Sequence, residues 1–238
     1  MKRLAALIVA LVVIAAGIAW WLRAPAPAPV VSAPPAPAPS LAPPPKVEPA
    51  FTGPETKEIV LGDRAESFIE RRYEPPFALV PPPDRPDPLA ATSVEAAMTQ
   101  YAAALTRADW DGWMSLWDES SRAMIEANVR SVDAEKGGSM RAEMIAGWER
   151  EYRGRPLVLS RRLDLPGAQV EGDAGTRAYA VVYFRRADAA AESLEAITPL
   201  ALALGGDGIW RFSHALASHP VYFYESLREE GHVRVVSN

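Results

Sequence analysis

The sequence predicts an α+β domain, helices first and a curved antiparallel sheet after them, preceded by one transmembrane helix and a proline-rich arm. Three observations predict it. Nineteen of the 23 prolines fall within the first 88 residues, which separates a non-globular front from a globular back. Within that back, apolar residues recur at three- and four-residue spacing up to Gly154 and at every second position afterwards, the change from helix to strand periodicity. Residues Leu4 to Leu22 carry no charge at all.

That charge-free run of 19 residues spans roughly 28 Å as a helix, at about 1.5 Å per residue, which matches a bilayer core. A cleaved signal peptide shares the basic start, but its apolar region is usually about 7–15 residues long. Trp20 and Trp21 fit an interfacial aromatic belt, and Lys2 and Arg3 favour a cytoplasmic N-terminus. Residues 1–23 are therefore expected to form a single-pass inner-membrane anchor, with everything after them in the periplasm. Residues 24–49, APAPAPVVSAPPAPAPSLAPPPKVEP, read as an Ala/Pro arm. Proline fixes φ and removes donors, so such a segment extends as polyproline II, reaching at most roughly 80 Å at about 3.1 Å per residue. Residues 50–88 read as a Pro-rich extended linker, with room for short strands at EIVLG and SFIERRYEPPFALV. PPPDRPDP at 81–88 breaks the chain again, so the domain is expected at 89–225, with a polar tail at 226–238.

Thr92-Ser-Val-Glu95 has the spacing of a capping box and opens the first helix. Val94, Met98, Tyr101, Leu105 and Ala108 form its apolar stripe, and Asp109 and Asp111 read as caps of a short second helix bearing Trp113, Leu116 and Trp117. A third helix is expected over Ser121–Glu135, stopped by Gly137-Gly138, and a fourth from Ser139 to Arg153, stopped by Gly154. Segments 157–165, 176–186, 196–204 and 208–216 read as strands, with GGDG as a hairpin turn.

Composition excludes several functions. There is no cysteine, hence no disulfide, thiolate metal site or cysteine nucleophile. Residues 89–238 carry 16 Lys/Arg against 21 Asp/Glu, and an acidic surface is a poor partner for nucleic acid. The local basic cluster of Arg150, Arg153, Arg155, Arg161 and Arg162 is interleaved with Glu149, Glu151 and Asp164, so it reads as a solvated mixed-charge surface. GGDG precedes no helix, and neither HExxH nor Gly-x-Ser-x-Gly occurs; no cofactor and no metal site are expected.

YAAALTRADWDGWMSLW at 101–117, followed by helices and by strands ending in GGDGIWRFSHAL, resembles the nuclear transport factor 2-like superfamily of cone-shaped α+β domains. The resemblance covers residues 92–216 and rests on the Ala108-Asp109-Trp110-Asp111 break and the Trp210-Arg211-Phe212 strand. It implies a fold more than an activity, because the superfamily includes isomerases, dehydratases, cyclases, transport adaptors and membrane-anchored secretion scaffolds. Tyr101 falls where the ketosteroid isomerase branch places an oxyanion-stabilising phenol. The carboxylate base of that branch falls at Ile125, with Glu126 beside it, so the catalytic match breaks and no catalytic residue is assigned. The superfamily also implies pairing through the sheet, hence a homodimer.

The leading expectation is a non-catalytic adaptor or scaffold contacting other envelope proteins. Val221, Tyr222, Phe223 and Tyr224 form its candidate contact surface, an exposed aromatic run unless it is an edge strand. The alternative is a small apolar ligand bound in the cone, by Tyr101, Trp117 and Tyr183 with His214 as a polar anchor. Trp113 and Trp117, four apart, are expected to be core, because helical aromatic stripes pack far more often than they bind.

Overall fold

The computed structural model describes residues 51–168, 177–189 and 198–236. The expected anchor and arm lie outside the described residues. No helix among the described residues is long and apolar enough to cross a membrane.

Phe51–Leu61 (β1) and Arg64–Leu79 (β2) form an antiparallel hairpin that turns at Gly62, whose φ of +64° strains any side chain. β2 then pairs with Leu157–Ala168 (β3), from Ile69↔Asp164 to Leu79↔Leu157. Residues 51–79, expected as a linker with room for short strands at EIVLG and SFIERRYEPPFALV, form two long strands of the sheet, and the domain starts at β1 instead of Leu89. The prolines misdirect the reading because they sit where the ladder is already interrupted. Pro54 lies in the register shift between Thr52 and Glu55, and Pro75 and Pro76 in the shift between Arg72 and Phe77. At a bulge a proline removes no ladder hydrogen bond.

Four helices follow. Ser93 caps α1 (Val94–Arg107) by accepting from the Ala96 amide at 3.1 Å. The cap is thus one residue later than the Thr92 of the expected capping box, the Thr92 amide donates to Ala90 O at 2.9 Å, and the Glu95 carboxylate turns to the sheet. There it accepts from the Tyr73 hydroxyl at 2.5 Å and from Arg162 at 3.0 Å. Asp109 caps α2 (Trp110–Ser115), Asp118 caps α3 (Glu119–Lys136) and Ser139 caps α4 (Met140–Tyr152), each side chain accepting an amide three residues on. α3 stops at Gly137, left-handed at φ +62°.

Arg177–Arg186 (β4), Thr198–Leu204 (β5) and Trp210–Phe212 (β6) continue the antiparallel meander from β3. β6 is shorter than the expected 208–216. Its outer edge is taken by the α2–α3 junction, where the Phe212 amide donates to Leu116 O and the Phe212 carbonyl accepts from the Asp118 amide, both at 3.0 Å. The chain then crosses the far face of the sheet through a 3₁₀ turn (Pro220–Phe223) and α5 (Tyr224–Glu229). It ends in Val233–Val235 (β7), antiparallel to β1 at Lys57–Ile59. The expected tail therefore closes the sheet, whose order is β6-β5-β4-β3-β2-β1-β7.

The fold is α+β, and both sheet faces are covered. On the helix side Met98, Tyr101, Leu105, Trp113, Val182 and Phe212 belong to one core. On the other side Phe68, Leu163, Tyr179, Leu216, Val221 and Tyr224 form a second core under the C-terminal strap. The unbroken apolar run of β4 is the signature of a strand buried on both faces.

Candidate functional site

The four ligand-pocket candidates do not assemble. Tyr101 projects from α1 into the helix-side core, its ring 4.7 Å from Phe212 and 5.7 Å from Phe184. Burial raises its phenol pKa, and the Trp113 indole N–H faces it without closing a hydrogen bond of normal geometry. Trp117 packs on Phe212 at 5.7 Å and stacks flat on His214 at 4.6 Å and 12°. The His214 amide donates to Ser121 Oγ at 2.9 Å. Its imidazole pKa is lowered by burial, which outweighs the nearby Asp118 charge. Tyr183 lies on the opposite face, because side chains alternate along β4 and Val182 and Phe184 take the helix side. The sheet itself separates Tyr183 from the other three.

The aromatic run 221–224 is a correction as well. It is neither extended nor an edge strand but a 3₁₀ turn leading into α5. Val221 and Tyr224, three apart, point inward and are 1% and 0% exposed, while Phe223 is exposed at 37%. The Tyr222 hydroxyl donates to Pro199 O at 3.3 Å. His219 pins the start of this turn, with Nδ1 accepting from the Val221 amide at 3.3 Å and Nε2 lying 2.7 Å from Glu66. Those two contacts fix the neutral tautomer with its proton on Nε2.

Beneath the strap sits a buried charge cluster. The Glu70 carboxylate is bonded to Lys57 Nζ, lies 3.0 Å from Arg72 and 3.1 Å from Arg161, and accepts from the Tyr224 hydroxyl at 3.0 Å. Burial alone would raise its pKa, but the Lys57 hydrogen bond and the charges of Arg161, Lys57 and Arg72 together lower it. Arg161 also pairs with Glu225 of α5 and stacks between Tyr183 and Tyr224, 5.6 and 5.3 Å from their ring centres. This is the polar fastening of the strap: its charges answer one another around the buried Glu70, with Arg72 reaching the surface.

The open site lies elsewhere, where α2, α3 and α4 meet around a surface cleft of ≈ 440 Å³. Its floor is apolar, with Trp110 and Met114 from α2 and Val129 from α3. Arg122, Glu126 and Arg130 follow at four-residue spacing on α3 and line one wall. Asp111 pairs with Arg141 at 2.9 Å, and that guanidinium lies 5.8 Å from the centre of the Trp110 ring, a cation–π contact. Arg130 pairs with Glu126 at 3.7 Å. Arg122 has no side-chain partner among the described residues. Trp110 of the floor packs against Trp113 and Trp148, and Trp113 against Trp117 and Trp148, with ring centres 5.2–5.9 Å apart, so the cleft rests on a stiff base. α3 itself buries only Ser121 fully, with Ile125 and Val129 partly packed on the core and Met124 exposed at 42%.

Among the described residues no group of three or more His, Asp or Glu side chains is placed to hold a metal ion. No family model, no curated protein and no solved structure matches the chain. Sequence reasoning missed the cleft, and the signal available was the row Arg122, Glu126, Arg130 at helical spacing on an otherwise weakly amphipathic helix.

Proposed function

We propose that the chain is a non-catalytic adaptor of an envelope assembly, held at the inner membrane by residues 1–23 and projected into the periplasm by the arm at 24–49. The observation that carries this reading is the contrast between a filled interior and an open helical face. Ring meets ring from Trp110 through Trp113 and Trp117 to His214, whereas α2, α3 and α4 leave ≈ 440 Å³ at the surface. An enzyme of the resembled superfamily needs its reacting groups gathered in a cavity. Here Tyr101 is packed against Phe184 and Phe212, and Tyr183 is across the sheet. The nuclear transport factor 2-like cone is part of the same proposal. Helices α1–α4 against one face of β3–β6, with Tyr101 meeting Phe212, support it. A homodimer of this chain uses a sheet edge or the helices, since the strap covers the second face.

Crosslinking of the full-length protein in cells tests the adaptor reading. Recurrent, near-stoichiometric capture of the same envelope proteins through residues 51–236 is expected, and self-adducts alone overturn it. One observation favours the rival ligand reading: Trp113 Nε1, Trp117 Nε1 and His214 Nδ1 are buried without hydrogen-bond partners, which a small polar-headed ligand would satisfy. His214→Ala separates the two. Loss of function with folding intact supports a ligand, and retained partner capture supports the adaptor.

A further inference from the structure

We infer that the α2–α3–α4 cleft receives a protein segment presenting an apolar side chain with an acidic residue about one helical turn away. The inference rests on the adaptor reading for the occupant being a protein. Its chemistry comes from the cleft alone. Trp110, Met114 and Val129 offer an apolar floor for one anchoring side chain, the usual centre of a protein contact. Three of the charged lining groups are arginines, Arg122, Arg130 and Arg141, against two carboxylates, Asp111 and Glu126. The cleft is thus cationic on a chain whose formal net charge is −5.

The arginines are not equivalent. Arg141 and Arg130 are engaged by Asp111 and Glu126, while the Arg122 fork is unpaired among the described residues. A planar guanidinium with five donors binds a carboxylate in two places at once, which sets the angle of approach as well as the charge. From Arg122 to Arg130 the wall runs roughly 12 Å at 1.5 Å per residue. That length suits two turns of a helix laid in a groove.

The probes are a fluorescein-labelled helical peptide carrying leucines flanked one turn away by glutamates, and its twin with every glutamate changed to lysine. Each is titrated by anisotropy against the full-length chain in nanodiscs. The glutamate peptide is expected to bind and its twin not. Arg122→Glu is expected to weaken the glutamate peptide by about tenfold, the scale of one charge-assisted hydrogen bond, and to favour the lysine twin. Arg122→Lys, which keeps the charge, retains most of the binding. Equal binding of both twins, binding of neither, or an unchanged affinity in Arg122→Glu overturns the inference. So does 2-naphthoate binding as tightly as the peptide, which would make the cleft a small-anion site. The adaptor reading is judged separately. If Arg122→Glu still captures the same proteins in cells, the cleft assignment fails and the adaptor stands. If the wild-type chain captures nothing in cells while the peptide binds, the adaptor reading fails instead.

Discussion

At Glu70 one carboxylate, with a side chain 1% exposed, answers Lys57, Arg72 and Arg161. Glu70→Gln keeps the shape and removes the charge, which leaves Arg161 only its pair with Glu225 and Lys57 only the exposed Glu55. Breaking a buried pair from one side costs about 3–5 kcal/mol. Urea unfolding is expected to show a loss on that scale, and a loss under 1 kcal/mol would make the cluster incidental. Little of this was legible beforehand. In SFIERRY the glutamate reads as one charge among several, and apart from Arg72 in the same stretch its partners come from β1, β3 and the strap. Only the register brings Arg161 to it. The aromatics were easier, because Trp113 and Trp117 share a helical face whatever they pack on, and both are core. Tyr183 was assigned to the wrong face, although alternation with Val182 and Phe184 already separated it from the helix side.

Among the elements, the strap is where pH acts. His219 has its imidazole pKa lowered from 6.5 by burial, against the opposing pull of Glu66. A lowered folded value means that the unfolded chain takes up the proton first. The stability it contributes is complete above about pH 6.5 and is lost as pH falls through the folded pKa. Protonation also destroys the Nδ1 acceptor that holds the Val221 amide. Stability is therefore expected to fall below pH 6.5 with a slope of at most about 1.4 kcal/mol per pH unit for each histidine. His219→Gln is expected to remove part of that slope, with His214, lowered in the same direction, supplying the rest. A slope unchanged in His219→Gln contradicts the assignment. The helices and β3–β5 could be read from caps and periodicity, since those signals are local. β1 and β2 could be read only as short strands within a linker, and β7 not at all, because prolines at bulges and a polar C-terminus imitate a linker and a tail. β1 and β2 meet in a local hairpin, but the β2–β3 and β1–β7 pairings join residues far apart along the chain.

For the whole molecule, a sheet covered on both faces leaves edges and helices as the surfaces open to a partner. Of these, the α2–α3–α4 cleft combines an apolar floor with an arginine, Arg122, that has no side-chain partner among the described residues. The strap's Phe223, the exposed member of the aromatic run expected to make contacts, sits instead on the second face. The most direct measurement places a photo-crosslinking amino acid at Arg130 on the cleft wall and, in a second strain, at Phe223. Both are irradiated in cells with the chain at its native membrane. The adaptor account predicts recurrent adducts to one and the same envelope protein from position 130 and none from position 223. Adducts from 223 alone would move the contact from the cleft to the strap, and only self-adducts from both positions would contradict the adaptor.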